Sequence, residues 1–249
     1  MIHVNGVSKA FAARPKKVQA LKNVSFTAAP GNIYGLLGPN GAGKTTCLRC
    51  IATLLKPDSG SIEVDGVDTR QDPRAVRDTM GFLTGDMKLS GNLTVRETLV
   101  FFADLNHMAR ERAADRIDAL AAYLSMEDYL DRPVAKLSTG MKQKATLAVS
   151  LIHDPDVIVF DEPTSGLDIL AAKSVVDFLK DCKQQGRTVV LSTHTMSEAE
   201  KLCDEIGILL GGELVAQGTR ADLVSRYEQP NLEETFYQIA LERGLVSHA

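Results

Sequence analysis

One glycine-rich segment carries the clearest chemical signal in this sequence: Gly38-Pro39-Asn40-Gly41-Ala42-Gly43-Lys44-Thr45. It matches the phosphate-binding pattern G-x-x-x-x-G-K-[ST], in which glycines allow positive φ and backbone N–H groups converge on phosphate oxygens. Lys44 is placed to bridge the terminal phosphates of a nucleotide, and the Thr45 hydroxyl can ligate Mg²⁺. We therefore predict that this segment and the following Thr46 bind a nucleotide, with Lys44 also serving catalysis.

Two consecutive carboxylates form the second candidate site. Asp161 and Glu162 follow the apolar run Val157 to Phe160, which is typical of a buried strand. Ligands of an open parallel sheet bind at the carboxyl ends of its strands. Asp161 is predicted to hold Mg²⁺ through water, and Glu162 to orient or deprotonate the attacking water. A solvated acidic pair at a strand end is common in isolation, but the phosphate-binding segment favours the catalytic interpretation.

The elements that must position these residues alternate between strand and helix patterns. Strand patterns occur at Ile2 to Val7, Ala20 to Ala28, Ile33 to Leu37, Ser61 to Val64, Met80 to Leu83, Val157 to Phe160 and Thr188 to Leu191. The helix after the phosphate-binding segment is predicted to present one apolar face made of Leu48, Ile51, Leu54 and Leu55. This order predicts an α/β protein with a P-loop NTPase core, a mixed sheet and an N-terminal antiparallel β subdomain.

A helical region interrupts this alternation. Thr94 and Glu97 have the spacing of a capping box, and Arg110 to Leu124 has the pattern of a charged amphipathic helix. We predict an inserted α-helical subdomain at about residues 85–153, within a single domain that spans residues 1–249. Near the end of the chain, Leu232 to Leu241 is predicted to form a surface helix.

A further helix start precedes the carboxylate strand, at Leu137-Ser138-Thr139-Gly140. Ser138 is a favourable N-cap, and the free N–H groups behind it make this helix start an anion site. Nothing in the sequence places it near Lys44 of the same chain.

The order of these segments resembles the ATP-binding cassette (ABC) family, whose signature reads LSGGQ. Leu137 to Lys144 resembles that signature, although Thr139 and Met141 replace its first glycine and its final glutamine. Asp161 to Asp168 resembles the Walker B strand end that runs into the family's D-loop. The resemblance covers essentially the whole chain. It implies that Ser138 and Gly140 bind the γ-phosphate of an ATP molecule held by a second subunit, in a head-to-tail dimer.

The resemblance assigns roles to three more residues. Phe11, at the end of Ser8-Lys9-Ala10-Phe11, is expected to stack on adenine; the alternative is a core aromatic that ends the first strand. His194, after Leu191-Ser192-Thr193, is expected to sense the γ-phosphate rather than to serve only as a structural histidine. Asp168 is expected to bind at the nucleotide site across the dimer, and it can also cap a helix that begins near Ile169.

One position departs from the family pattern. After the strand Met80 to Leu83 the family usually carries a glutamine, which links Mg²⁺ to the membrane partner, whereas this chain has Gly85 followed by Asp86. Three explanations stay open: Asp86 substitutes for the glutamine, water fills the gap, or coupling to the partner is looser.

Charge and composition limit the classes of partner that this chain is expected to bind. The chain has 28 Lys and Arg against 32 Asp and Glu, a formal net charge of −4, which argues against nucleic-acid binding. No apolar run reaches the roughly 18 residues that a membrane span needs, and no secretory signal is visible. We expect a protein at the cytoplasmic face of the cell membrane, held there by separate transmembrane permease subunits. Its four cysteines suggest reduced thiols, and Cys47-x-x-Cys50 lacks the second ligand pair of a zinc site.

We therefore predict the ATP-binding and ATP-hydrolysing subunit of an ABC transporter, with ATP and Mg²⁺ as cofactors. Its second cassette is an identical or a different chain. An exporter, with sodium ions or drugs as candidate cargo, is the favoured type. The alternative is a soluble ABC ATPase of DNA repair or translation, but the Lys44-to-Ser138 segment is too short for a long coiled coil. A small GTPase would need an Asn-Lys-x-Asp motif, which the sequence lacks.

Overall fold

A six-stranded mixed sheet carries the candidate site in the computed structural model, which describes residues 1–12, 17–85 and 87–245. The strand order is β10 (Glu213–Gly218), β9 (Glu205–Leu210), β3 (Ile33–Leu37), β8 (Thr188–Thr193), β7 (Val157–Asp161) and β6 (Met80–Leu83). Only β10 is antiparallel to its neighbour among these pairs. Because β3, β8 and β7 are adjacent and parallel, the segments that follow them meet at one edge of the sheet.

Side chains of the central strands alternate between two hydrophobic layers, as the period of a strand requires. Ile158 and Phe160 of β7 pack on the side of the helical region, whereas Val157 and Val159 pack on the side of α1 (Lys44–Ile51). Both faces of the sheet are covered, which explains why these strands read as continuous apolar runs in the sequence.

An antiparallel sheet of order β2-β1-β4-β5 packs with α1 in the second layer. Its strands are β1 (Ile2–Phe11), β2 (Val18–Ala28), β4 (Ser59–Val64) and β5 (Val67–Asp68). The predicted α/β class, mixed sheet and N-terminal antiparallel sheet are confirmed. The first two strands are longer than predicted, because β1 continues to Phe11 and β2 begins at Val18. Irregular pairing, such as Lys9 with Leu21, extends both strands beyond the alternating pattern.

The predicted extension of α1 to Leu55 was wrong. The helix ends at Ile51, and Thr53 adopts a left-handed conformation with φ of 61°. A non-glycine residue in this conformation ends a right-handed helix. As a result Leu54 is 54% exposed rather than part of the buried apolar face.

The helical region contains α3 (Val95–Leu105), α4 (Arg110–Leu124) and α5 (Thr139–Leu151), with short 3₁₀ turns at Glu127–Tyr129 and Val134–Lys136. Thr94 and Glu97 form the predicted capping box at the start of α3. The inward residues predicted for α4 are buried, namely Ile117, Leu120 and Leu124. The three helices share one hydrophobic layer with the main sheet, so the start of α5 is held at a fixed place relative to the core.

The remaining helices are α2 (Pro73–Asp78), α6 (Ile169–Gln184), α7 (Met196–Leu202), α8 (Arg220–Arg226) and α9 (Leu232–Glu242). The predicted C-terminal helix is present as α9, but Leu232 and Ile239 are buried against β9 and α8. It is therefore an integral part of the fold on one face. No helix in the described ranges combines the length and apolar character that crossing a bilayer requires.

Candidate active site

The glycine-rich segment forms a loop that is packed on one side and open on the other. A Cβ at Gly38 would lie 2.2 Å from the Leu209 carbonyl oxygen, and one at Gly43 would lie 2.3 Å from the Ala20 carbonyl oxygen. Gly43 also has φ of 109°, so both space and conformation require glycine there. At Gly41 an added Cβ would meet nothing within 4 Å, so that side of the loop faces open space.

The open side lines a cavity of about 160 Å³ formed by Ala20, the residues 40–46 and Glu162. The first N–H groups of α1 have no intrahelical acceptors, and the helix dipole adds partial positive charge at this end of the helix. Lys44 is only 5% exposed, and its Nζ donates to the carbonyl oxygens of Gly38 at 2.7 Å and Pro39 at 3.2 Å. A buried ammonium beside free N–H groups is the chemistry of an anion site.

Asp161 ends β7 directly before the cavity-lining Glu162 and is 8% exposed. The Ser192 hydroxyl donates to Asp161 Oδ1 at 2.5 Å, which fixes the carboxylate in one orientation. Glu162 follows in a left-handed conformation with φ of 49°, and its N–H donates to the Ser192 carbonyl oxygen and hydroxyl. A strained non-glycine backbone held by its surroundings is a mark of functional sites.

The Glu162 carboxylate brings three predicted catalytic residues together. Its Oε1 lies 3.5 Å from Lys44 Nζ and 3.0 Å from His194 Nδ1. His194 is 48% exposed and does not itself line the cavity; it adjoins the cavity through its contact with Glu162. A carboxylate between an ammonium and an imidazole can orient a water molecule and accept its proton.

The donor set suits Mg²⁺ bound together with a nucleotide. In the part of the chain that the structure describes, no cluster of three or more His, Cys, Asp or Glu side chains could hold a metal ion alone. Mg²⁺ prefers one or two protein oxygens, several waters and substrate phosphates over an all-protein cage. The Thr45 hydroxyl beside the phosphate-binding loop and the oriented Asp161 carboxylate are ligands of that kind.

A second group of predicted residues lies away from this cavity. Ser138 caps α5 by accepting a hydrogen bond from the Met141 N–H at 3.3 Å, as predicted. A Cβ at Gly140 would lie 3.6 Å from Asp168 Oδ2, so the start of α5 adjoins Asp168. Asp168 caps α6 through the Ala171 N–H at 2.9 Å. Ser138, Gly140 and Asp168 are not among the residues that line the Lys44 cavity.

Phe11 ends β1 and is 39% exposed, so it is not a core aromatic. Its partner across the hairpin is Val18, and the Lys9 ammonium lies 5.8 Å from its ring centroid. The ring is near β2, which contributes Ala20 to the cavity, but it does not itself line that cavity. Gly85, which stands after β6 where the family usually carries a glutamine, lies in open space. Asp86, the residue that could substitute for that glutamine, falls outside the described residues.

Comparison with known proteins decides the family. The family model described as ABC transporter matches residues 21–165, more than half of the chain. The ABC transporter ATP-binding protein NatA of Bacillus subtilis is 40% identical over 238 residues, which cover 95% of this chain and 96% of NatA. The chain belongs to the ABC transporter ATPase family.

Two other relatives extend this finding. A Nod factor export ATP-binding protein of Burkholderia lata is 38% identical over 82% of this chain and 67% of its own length. A dimeric ATP-binding cassette, solved in a post-hydrolysis state with ADP and Pi, is 26% identical with a TM-score of 0.81. That match covers 88% of this chain and 98% of the solved chain. The predicted family, the fold and the identity as an ABC transporter ATPase are therefore confirmed.

The structure of this ABC ATPase also shows contacts that the sequence analysis missed. Ser192 orients Asp161, and Glu198 accepts hydrogen bonds from Thr164 and Thr193 beside the two catalytic segments. Glu198 follows Thr195, the N-cap of α7, at the capping-box spacing, but its carboxylate accepts hydrogen bonds from Thr164 and Thr193 instead. No motif pointed to Ser192, since its role depends on the pairing of β7 with β8.

Proposed function

We propose that Lys44, Glu162 and His194 form the hydrolytic half of the ATP site in this ABC transporter ATPase. The observation that carries the proposal is the Glu162 carboxylate, 3.5 Å from the Lys44 ammonium and 3.0 Å from the His194 imidazole. In this arrangement Lys44 neutralises charge on the terminal phosphates, as does the amino end of α1. Glu162 orients water for attack and takes up its proton, while His194 holds the γ-phosphate in line.

The remaining residues of the loop bind the triphosphate through their N–H groups, with Gly41 leaving room for close approach. Mg²⁺, which Thr45 and Asp161 would hold, supplies positive charge that stabilises the transferring phosphoryl group. The Ser192 hydroxyl donates to Asp161 Oδ1 and so holds this carboxylate in one orientation. Phe11 provides an accessible aromatic face for the adenine.

We further propose that a second cassette completes each ATP site. The chain carries two separate half-sites: the Lys44 cavity, and the group of Ser138, Gly140 and Asp168 at adjoining helix starts. Directly after Asp168, Ile169 and Leu170 are 87% and 81% exposed. Adjacent apolar side chains this exposed mark an interaction surface. A twofold pairing places the helix start of one chain on the nucleotide of the other, which the dimeric solved relative supports.

The partner in transport is proposed to be a transmembrane permease that holds the ATPase at the cytoplasmic face of the membrane. An apolar cleft of about 170 Å³ is lined by residues that include Leu54, Phe82, Met87 and Phe102. It lies between the main sheet and the helical region, where an amphipathic segment of a permease can insert. Export is the proposed direction of transport, and the Nod factor export relative supports it. Transport assays in vesicles of defined orientation test this direction. ATP-driven uptake of the substrate into cells would overturn it.

The test of the hydrolytic site is Glu162→Gln. This change keeps the size and removes the base, so ATP turnover should fall by at least about 100-fold, the scale of general-base catalysis. ATP affinity should remain, because the loop, Lys44 and Thr45 are unchanged. Turnover is measured by phosphate release and affinity by equilibrium binding of a fluorescent ATP analogue. Unchanged turnover in the variant would remove Glu162 from its proposed role.

A further inference from the structure

Glu198 of α7 joins the two segments that carry the catalytic carboxylate and imidazole. Its Oε1 accepts a hydrogen bond from Thr164 Oγ1 at 2.6 Å, and its Oε2 accepts one from Thr193 Oγ1 at 2.5 Å. Thr164 lies two residues after Glu162, and Thr193 lies directly before His194. One carboxylate therefore spans the gap between the two loops.

The contacts leave this carboxylate little freedom. Thr193 is 1% exposed, and its hydroxyl oxygen accepts from the Thr195 N–H at 3.0 Å, so its proton is directed to Glu198. The Glu198 N–H donates to the Thr195 carbonyl oxygen at 3.2 Å, which ties the start of α7 to the same loop. Hydrogen bonds to an ionised carboxylate are shorter and stronger than those between neutral groups.

The loop that Glu198 holds is the one with a strained backbone. Glu162 adopts φ of 49°, a conformation that persists only where neighbouring contacts impose it. On its amino-terminal side the Glu162 N–H is held by Ser192. On its carboxyl-terminal side Thr164 is held by Glu198.

We infer that Glu198 is a positioning residue, whose carboxylate sets the separation between Glu162 and His194 by fixing Thr164 and Thr193. This inference rests on the proposed roles of Glu162 and His194 and adds a residue that acts on them through Thr164 and Thr193. Glu198, Thr164 and Thr193 do not line the phosphate cavity. The inference therefore predicts an effect on turnover and not on ATP binding.

The first test compares Glu198→Ala with Glu200→Ala in the same helix. Glu200 accepts hydrogen bonds from Arg220 Nε at 2.9 Å and the Leu232 N–H at 3.2 Å, both on the C-terminal side of the fold. The two variants lose matched carboxylates, but only one loses contacts beside the site. Glu198→Ala should lower kcat by about 10- to 100-fold, the scale of a small misplacement of catalytic groups, with KM for ATP within about threefold. Glu200→Ala should keep kcat within about threefold.

A second pair of variants separates positioning from stability. Thr164→Val keeps the shape and loses the donor to Glu198, whereas Thr164→Ser keeps the donor. Thr164→Val should lower kcat, whereas Thr164→Ser should keep kcat close to that of the wild type. The two variants should have similar melting temperatures. Because Thr164 and Glu198 act through one contact, the double variant Thr164→Val, Glu198→Ala should be no worse than Glu198→Ala alone.

The outcomes distinguish this inference from the proposed function beneath it. If Glu162→Gln abolishes turnover while Glu198→Ala matches Glu200→Ala, the positioning role is wrong and the hydrolytic site stands. Equal kcat for Thr164→Val and Thr164→Ser would also overturn the positioning role. If Glu162→Gln retains turnover, the proposed hydrolytic site itself is wrong.

Discussion

Leu170→Ala should weaken ATP-driven dimerisation of this ABC ATPase by about three orders of magnitude. Leu170 is 81% exposed in the single chain and follows Asp168 on the surface proposed to meet the second cassette. The substitution removes three carbon atoms, and each contributes about 0.8 kcal/mol when it is buried. Because the side chain is already partly buried in the monomer, the loss for each copy of Leu170 is roughly 2 kcal/mol. A twofold dimer contains the residue twice, which gives about 4 kcal/mol, about 10³-fold in Kd.

The assay measures dimerisation by sedimentation in the Glu162→Gln background, with ATP and Mg²⁺ present, so that hydrolysis does not separate the subunits. Leu105→Ala is the matched control, because Leu105 is also an exposed leucine, at 61%, but lies at the end of α3. The control should dimerise like its parent. Equal dissociation constants for the two leucine variants would refute the proposed interface.

Two further predictions concern stability and thiol chemistry. Burial raises the pKa of Asp154, but the Arg187 hydrogen bond and the charges of Arg116 and Arg187 lower it more, so the net shift is downward. A carboxyl with a depressed pKa stabilises the fold above its unfolded pKa of about 3.9 and loses that effect as pH falls through the folded value. Asp154→Asn should therefore lower the free energy of unfolding by about 1 to 2 kcal/mol at pH 7, and the difference from wild type should shrink below about pH 4 in urea titrations. Burial raises the pKa of the Cys50 thiol to about 11 and raises that of Cys47 as well, so neither should react with a thiol reagent at pH 8 until the protein is denatured; rapid labelling of the native protein would contradict their burial.

The sequence was sufficient for the fold class because its strongest patterns are local. Fully apolar runs such as Val157 to Phe160 became the central strands, and the capping box at Thr94 began α3 as expected. The end of α1 was not accessible in this way. Leu54 and Leu55 continue the helical spacing of apolar residues, so the sequence pattern gave no sign that the helix ends before them. The left-handed conformation of Thr53, which ends it, has no such pattern.

The site was predictable as a set of residues but not as a set of contacts. The motifs named Lys44, Glu162 and His194, yet their meeting at one carboxylate requires β3, β8 and β7 to be neighbours in the sheet. The bridge made by Glu198 was missed for the same reason, because it joins segments that are about 30 residues apart. Long-range hydrogen bonds of this kind have no periodic signature in a sequence.

The most direct test of the central claim is a crystal structure of the Glu162→Gln protein with ATP and Mg²⁺. We predict that the γ-phosphate lies within hydrogen-bond distance of Lys44 in one subunit and of Ser138 or the Gly140 N–H in the other. The same structure should bury Leu170 between the subunits. A structure in which Ser138 of both subunits lies far from every phosphate would contradict the claim that one cassette completes the ATP site of another.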